Sequence, residues 1–302
     1  MKVGIIGLGD IAKKAYLPVL SQKEGIELVL CTRNEETLHT LSQKYRIDEK
    51  VQTVEDLLAK NIDAAIVSAA TEAHFKIAEK LLLHGINVYV DKPISMNLQE
   101  TKRIVQLAEE SQKVAMVGFN RRFIPKVKEL KDQGKASLIM IQKNRFAAPD
   151  ITRRFVVEDF IHVVDTLRFL MDTPVKDINV QSLKTGEKLD HLIIQLIGEG
   201  VTAMGIMNRN GGVTEETIEY HTGHNKFVVN SLVETTHYHG KNIQVSKFGD
   251  WEPTLYKRGF YQIIDHFIDC VHQQMRPDPS MTDSLTTHEI CEKIVQSIDS
   301  SS

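Results

Sequence analysis

The amino-acid sequence predicts two architectures in succession, an α/β half followed by an α+β half. Three observations predict this. A glycine turn of the form G-x-G-x-x-A occupies residues 7–12, straight after a short apolar run. Short apolar runs and helix-length segments then alternate as far as about residue 120. Beyond that point strand patterns dominate, above all from about 175 to 250, broken by turns such as Gly198-Glu199-Gly200 and Asn210-Gly211-Gly212. Alternating strand and helix with short links means parallel strands joined by crossovers, a doubly wound sheet. The expected division is therefore 1–120 and 121–302. The second part is expected to form a mainly antiparallel open sheet, covered by helices on one face.

Each element has its own signal. Val3, Ile5 and Ile6 read as a buried strand, and residues 10–21 as a helix disturbed at Pro18, whose ring clashes with the preceding turn. Strands follow at Ile26–Cys31, Asp63–Ser68, Asn87–Val90 and Val114–Val117. Helices lie between them over about 35–45, 73–84 and 97–111; Gly85 closes the second and Asn97 caps the third. A helix of about 122–133 and a strand Ser137–Phe146 come next. Val157, Ile161, Val164, Leu167 and Leu170 recur at helical spacing and define a helix over 156–171. Strands are then expected at Leu192–Ile197, Val201–Met207, Thr217–Tyr220, Phe227–Val233 and Ile243–Lys247, and closing helices over 258–274 and 282–298.

The glycine turn carries the chemistry. Gly7 allows a tight strand-to-helix bend, Gly9 lets a pyrophosphate approach the backbone, and Ala12 lets the helix lie close on the strand. The free N–H groups of that helix, around Asp10 and Ile11, face the phosphates. This is the fingerprint of a Rossmann domain binding a nicotinamide dinucleotide. NAD enzymes place an acid after the second strand to accept from the ribose 2′-hydroxyl. Here Thr32-Arg33 stand there, with no acid before Glu35. A hydroxyl and a guanidinium suit a 2′-phosphate, so NADP is expected in preference to NAD.

The totals exclude other classes. A net charge of -3 gives no footprint for nucleic acid or an anionic membrane, and no apolar run reaches the length of a membrane span. Cys31, Cys270 and Cys291 are widely spaced and odd in number, against a disulfide framework or a cysteine zinc site. No signal peptide is expected, because Lys2 leads directly into the first strand, and the expected compartment is the cytoplasm. His221, His224, His237 and His239 fall close together, but without cysteine or a carboxylate pair they read as strand histidines, and no metal is expected. Trp251 reads as a packing or interface residue.

Four blocks, in order, carry a family resemblance: Gly7-Leu8-Gly9-Asp10-Ile11-Ala12, Asp91-Lys92-Pro93, Gly118-Phe119-Asn120-Arg121-Arg122-Phe123 and Glu158-Asp159-Phe160-Ile161-His162-Val163-Val164-Asp165. On these the chain resembles the family of glucose–fructose oxidoreductase, inositol dehydrogenase and the MocA proteins, in wording nearest the MviM subgroup. The resemblance spans nearly the whole chain and is weakest over 175–250. It implies hydride transfer between nicotinamide and a secondary alcohol or ketone of a sugar or polyol-like substrate, lying in the cleft between the domains. It also implies a homodimer or homotetramer formed through the C-terminal sheet.

The resemblance implies site residues too. In the family the lysine of Glu-Lys-Pro approaches both nicotinamide and reacting hydroxyl; here it is Lys92, with Asp91 in place of the glutamate. An ammonium there stabilises developing alkoxide charge. His162 would exchange a proton with the substrate oxygen, a task imidazole suits because its pKa lies near working pH. The family's aspartate four residues before the histidine is replaced by Glu158, with Asp159 beside it, so either carboxylate can face the substrate. Asp165 reads as an orienting partner. Ser68, Ala69 and His74 are expected near the cofactor; Ala69-Ala70 replace the threonine–proline pair frequent in the family, and His74 equally suits a structural role at a helix start. Asn120 and Arg121 can reach cofactor or substrate, or Arg121 can form an ion pair. Two rival functions stay open on the sequence: lyase or hydrolase chemistry through transient oxidation with tightly held NAD, and a non-catalytic cofactor-binding regulator.

Overall fold

The structure, a computed structural model, describes residues 1–300. The chain forms two units: Met1–Phe119 with Phe260–Thr286, and Asn120–Gly259 with the residues from Thr287 onward.

Six parallel strands build the first unit: β1 (Lys2–Ile6), β2 (Glu27–Cys31), β3 (Lys50–Val51), β4 (Ala64–Val67), β5 (Asn87–Val90) and β6 (Ala115–Val117). Their order is β3-β2-β1-β4-β5-β6. Helices cover both faces of a doubly wound sheet, so its inner strands are continuous apolar runs. Ala64, Ala65, Ile66 and Val67 are all 0% exposed. Strand order reverses between β1 and β4, and ligands of such sheets bind outside the carboxyl ends at that switch. Asn34 and Asn97 open helices Glu35–Tyr45 and Leu98–Ser111 by accepting backbone N–H bonds of 2.8 Å from Thr37 and 2.7 Å from Gln99. The first helix passes through a widened π turn, Ala12–Tyr16, where Leu17 N–H reaches back to Ala12 O, and Pro18 follows directly in the α segment Leu17–Leu20, so the widening accompanies the proline inside the helix.

The division at residue 120 needs one correction. Residues 260–286, expected in the second part, belong to the first unit. The reason is the apolar stripe of helix Phe260–Gln273, where Ile263, Ile264 and Phe267 are 0% exposed. Phe260 and Phe267 set their edges against Tyr16 and Tyr89 at centroid separations of 5.9 and 5.6 Å.

Nine strands form the sheet of the second unit: β7 (Leu138–Asn144), β8 (Asp150–Ile151), β9 (Asp177–Thr185), β10 (Lys188–Ile197), β11 (Thr202–Asn208), β12 (Glu215–Thr222), β13 (Asn225–Asn230), β14 (Glu234–His239) and β15 (Asn242–Lys247). Their order is β15-β14-β13-β12-β7-β11-β10-β8, with β9 also on β10. Pairing is antiparallel except between β7 and β11. β9 has no counterpart among the sequence expectations. The expected helix 122–133 is a tight 3-10 turn, Asn120–Phe123, followed by the helix Pro125–Lys131. One continuous helical run, π-type over Phe155–Phe160 and α over Ile161–Met171, lies on β7 and β11. Among the described residues no helix is long and apolar enough to cross a membrane.

Candidate functional site

The fingerprint turn is built as its residues require. Gly7 adopts φ +86°, and a β-carbon there would lie 2.3 Å from the Ala69 backbone. A β-carbon on Gly9 would meet nothing within 4 Å, so that side of the turn is open. The Gly7 N–H donates to Cys31 O at 3.0 Å, and Ser68 Oγ donates to Gly7 O at 2.9 Å. Ser68 thus ties the end of β4 to the turn. The helix N-terminus begins here, with Lys13 N–H donating to Gly9 O, and Ala12 is 0% exposed beneath it. Asp10 is exposed and paired with Lys14 at 2.7 Å. Around the turn lies a cavity of about 1000 Å³, lined among others by Ile11, Thr32, Arg33, Ser68 and Ala69. Arg33 is exposed and forms no ion pair among the described residues. The open Gly9, the phosphate-facing helix end and this volume fit a dinucleotide.

Two carbonyls fix His74, which is 1% exposed: its Nδ1 lies 2.8 Å from Pro93 O and its Nε2 3.0 Å from Ala69 O. The ring braces the turn after β4 against the turn after β5. Lys92 is half-buried in that second turn, directly after Asp91. Asp91 accepts a 2.7 Å bond from the Tyr16 hydroxyl, which also lies 3.4 Å from the Tyr89 hydroxyl. Burial, with the Asp91 charge, pushes both phenols above their ordinary range, so they stay protonated donors.

In the second unit His162 is 9% exposed near the start of Ile161–Met171. Asp165, expected to orient it, instead accepts from Arg122 in a paired bond of 2.8 and 2.6 Å and from Thr287 Oγ1 at 3.0 Å. Glu158 pairs with Arg154 at 3.3 Å. Asp159 is held from two sides: Lys143 donates to it, and Arg145 donates to both oxygens at 3.0 Å. Burial alone would raise the Asp159 carboxyl; Lys143 and Arg145 reverse this and hold it well below the usual carboxylate range. Arg121 forms a paired bond of 2.7 and 2.8 Å with Glu216, and Asn120 Nδ2 donates to Arg258 O at 2.9 Å.

Sequence reasoning missed Lys143, Arg145 and Glu216. Ile139, Ile141 and Lys143 alternate onto the covered face of β7, and across the register Tyr220, Ile218 and Glu216 oppose them on β12. The apolar rows therefore end in a cross-strand Lys–Glu pair just where Asp159 passes over. Alternation within Ser137–Phe146 was the available signal for a buried lysine. Among the described residues no group of three His, Cys, Asp or Glu side chains is placed to hold a metal. His237 and His239 both turn to Asn225 Oδ1, at 2.8 and 3.1 Å.

Comparison with known proteins adds to this geometry. The family model described as "Oxidoreductase family, NAD-binding Rossmann fold" (GFO_IDH_MocA) matches residues 1–119. YceM of Salmonella typhimurium, an oxidoreductase by name, is 30% identical over 300 residues, covering 97% of each chain. The crystal structure of a dehydrogenase (MviM) from Clostridium difficile superposes with a TM-score of 0.94 at 31% identity, over 98% of this chain and 99% of that one. The myo-inositol 2-dehydrogenase of Thermotoga maritima is 24% identical over 190 residues, 59% of this chain and 57% of its own.

Proposed function

Because this chain belongs to the Gfo/Idh/MocA oxidoreductase family, whose nucleotide domain it carries at residues 1–119, we propose that it is an NADP-preferring dehydrogenase or reductase acting on a secondary alcohol or ketone of a sugar or polyol. The chain is a nicotinamide-dependent oxidoreductase. The preference for NADP, the substrate class and the residue roles are the proposal. The single observation that carries it is the cavity of about 1000 Å³ at the fingerprint, with Gly9 open and Arg33 on its wall. Relatedness to an inositol dehydrogenase supports the polyol reading.

Bound there, the nicotinamide cofactor supplies hydride exchange at the carbinol carbon. The chain's own groups do the rest. The N–H groups after Gly9 bind pyrophosphate, and Ser68 and His74 hold the floor of the turn in shape. Thr32 and Arg33 receive the 2′-phosphate. Lys92 presents its ammonium to the substrate oxygen and stabilises alkoxide character. His162 takes the hydroxyl proton during oxidation and returns it during reduction. Asp159, already committed to Lys143 and Arg145, acts by positioning those cations. The chain self-associates through the second unit's sheet, a reading supported by the bare apolar surface at β14 and β15.

Calorimetry with the oxidised cofactors tests the first claim. NADP is expected to bind about tenfold or more tighter than NAD, and Arg33→Ala to remove the difference, since one hydrogen bond to a charged group is worth roughly 1.5–3 kcal/mol. Tighter NAD binding by the native protein would end the NADP reading. In steady-state assays of polyol oxidation, His162→Gln and Lys92→Ala should each lower kcat by about 10²–10⁴. Turnover that survives both changes would remove these two residues from the chemistry.

A further inference from the structure

The charges gathered beneath the Asp159 segment do not balance. The three arginines Arg121, Arg145 and Arg258 already outnumber the two carboxylates of Asp159 and Glu216, and Lys143 adds a further cation when protonated. Of the neighbouring charges, Arg154 pairs with Glu158 and Arg209 with Asp150, while Glu215, the next residue along β12 from Glu216, is exposed and bonded to the Asn144 amide. The paired cations are buried, the Lys143 side chain being 3% exposed and that of Arg121 12%, so the excess stands at the edge of a low-dielectric cluster. Arg258 is the member with no carboxylate of its own. It is half-buried, and none lies within ion-pairing distance of its guanidinium among the described residues. Its place is fixed by close backbone fit. Asn120 donates to its carbonyl, and the next residue, Gly259 at φ +76°, sits where a β-carbon would lie 2.5 Å from Asn120 O. Arg258 thus stands beside the turn carrying Arg121, and the Arg121 and Glu216 charges both act on it.

We propose that this network is an anion-binding subsite. It recognises a carboxylate or phosphate carried by the sugar or polyol substrate, with Arg258 as the receiving group beside the Arg121–Glu216 pair. The inference rests on the oxidoreductase reading above and narrows its substrate class. Unpaired charge is costly in a buried site and is offset by a partner or by loss of the charge. The network shows the second response: burial first, then Arg121 and Arg145, draws the Lys143 ammonium down to about 7. A bound anion offers the first. Arginine suits the task because its planar fork matches the oxygens of carboxylate and phosphate. Glu216, by occupying Arg121, leaves Arg258 as the free cation.

The test uses the full chain with NADP at saturation, so that the pyrophosphate site is filled. Inorganic phosphate is titrated by calorimetry at constant ionic strength. Native protein should bind it, Arg258→Gln should weaken binding by about tenfold to a hundredfold, and Arg258→Lys should restore most of it. Unchanged NADP affinity in each variant shows that it is folded. Glucuronate or glucose 6-phosphate should then displace the phosphate, the stronger of the two naming the anion, and myo-inositol should not. The proposal is overturned if phosphate does not bind native protein, if Arg258→Gln binds it as well, if myo-inositol displaces it equally, or if neither anionic sugar does. Failure of NADP itself to bind would instead remove the oxidoreductase reading, leaving the phosphate result to stand by itself.

Discussion

Lys143 shows how one residue reports on its surroundings. Its ordinary pKa of 10.5 is lowered to about 7, chiefly by burial and then by Arg121 and Arg145. An unfolded chain would keep that lysine protonated up to about 10. Between about pH 7 and 10 the unfolded state therefore binds the extra proton, and stability rises with pH across that window. It is flat below about 7, where both states are protonated. The slope contributed by this group is at most about 1.4 kcal/mol per pH unit. Urea unfolding of the native protein and of Lys143→Met at pH 7, 8 and 9 checks this: the difference in stability should shift in the native protein's favour as pH rises. A difference that does not change with pH would mean that Lys143 stays charged. Residue by residue, the sequence showed Arg121 and Asp159 as candidates but not what they hold. Their partners Glu216 and Lys143 lie on strands whose mutual register no local pattern specifies, and Arg145 comes directly after β7.

At the scale of elements, the fingerprint separates folding from binding. Gly7→Ala puts a methyl into the Ala69 backbone at a left-handed φ, and it should destabilise the fold by several kcal/mol. Gly9→Ala has room in the protein alone, and should leave the thermal midpoint within a degree or two while weakening NADP by about tenfold or more. Calorimetry and thermal unfolding of the two variants check this; equal loss of stability in both would refute it. Elements with caps or strict periodicity were legible: Glu35–Tyr45 after Asn34, Leu98–Ser111 after Asn97, Ile161–Met171 from its apolar spacing. β9 was not. Its apolar residues Ile178, Val180 and Leu183 all stay partly or fully exposed beside β10, and the alternation of the first two breaks at Gln181-Ser182, so the row is too short to announce a strand. The helix 122–133 was overdrawn because Pro125 restarts the chain after the 3-10 turn.

For the whole molecule, the second unit leaves apolar side chains bare at one end of its sheet. Tyr238 and Ile243, partners across β14 and β15, are 37% and 62% exposed, and Val245 is 55% exposed. Self-association through this face predicts a light-scattering mass at a multiple of 34.2 kDa, and Ile243→Glu with Val245→Glu should return the protein to that mass. A native protein of 34.2 kDa at micromolar concentration would refute it. The sequence placed the boundary near residue 120, because there the period of the apolar pattern changes. It did not show that the chain returns, because the stripe on Phe260–Gln273 does not say which surface it covers.

That return governs when the nucleotide-binding unit can be finished. A ribosome that has released Phe119 has made all six of its strands but none of helix Phe260–Gln273, which brings Phe260 to Tyr16 and Phe267 to Tyr89. Until about 154 further residues emerge, from Asn120 to Gln273, those rings lack their cover and present a sticky surface to chaperones. A nascent chain that stalls in this interval is the form most exposed to aggregation and to proteolysis.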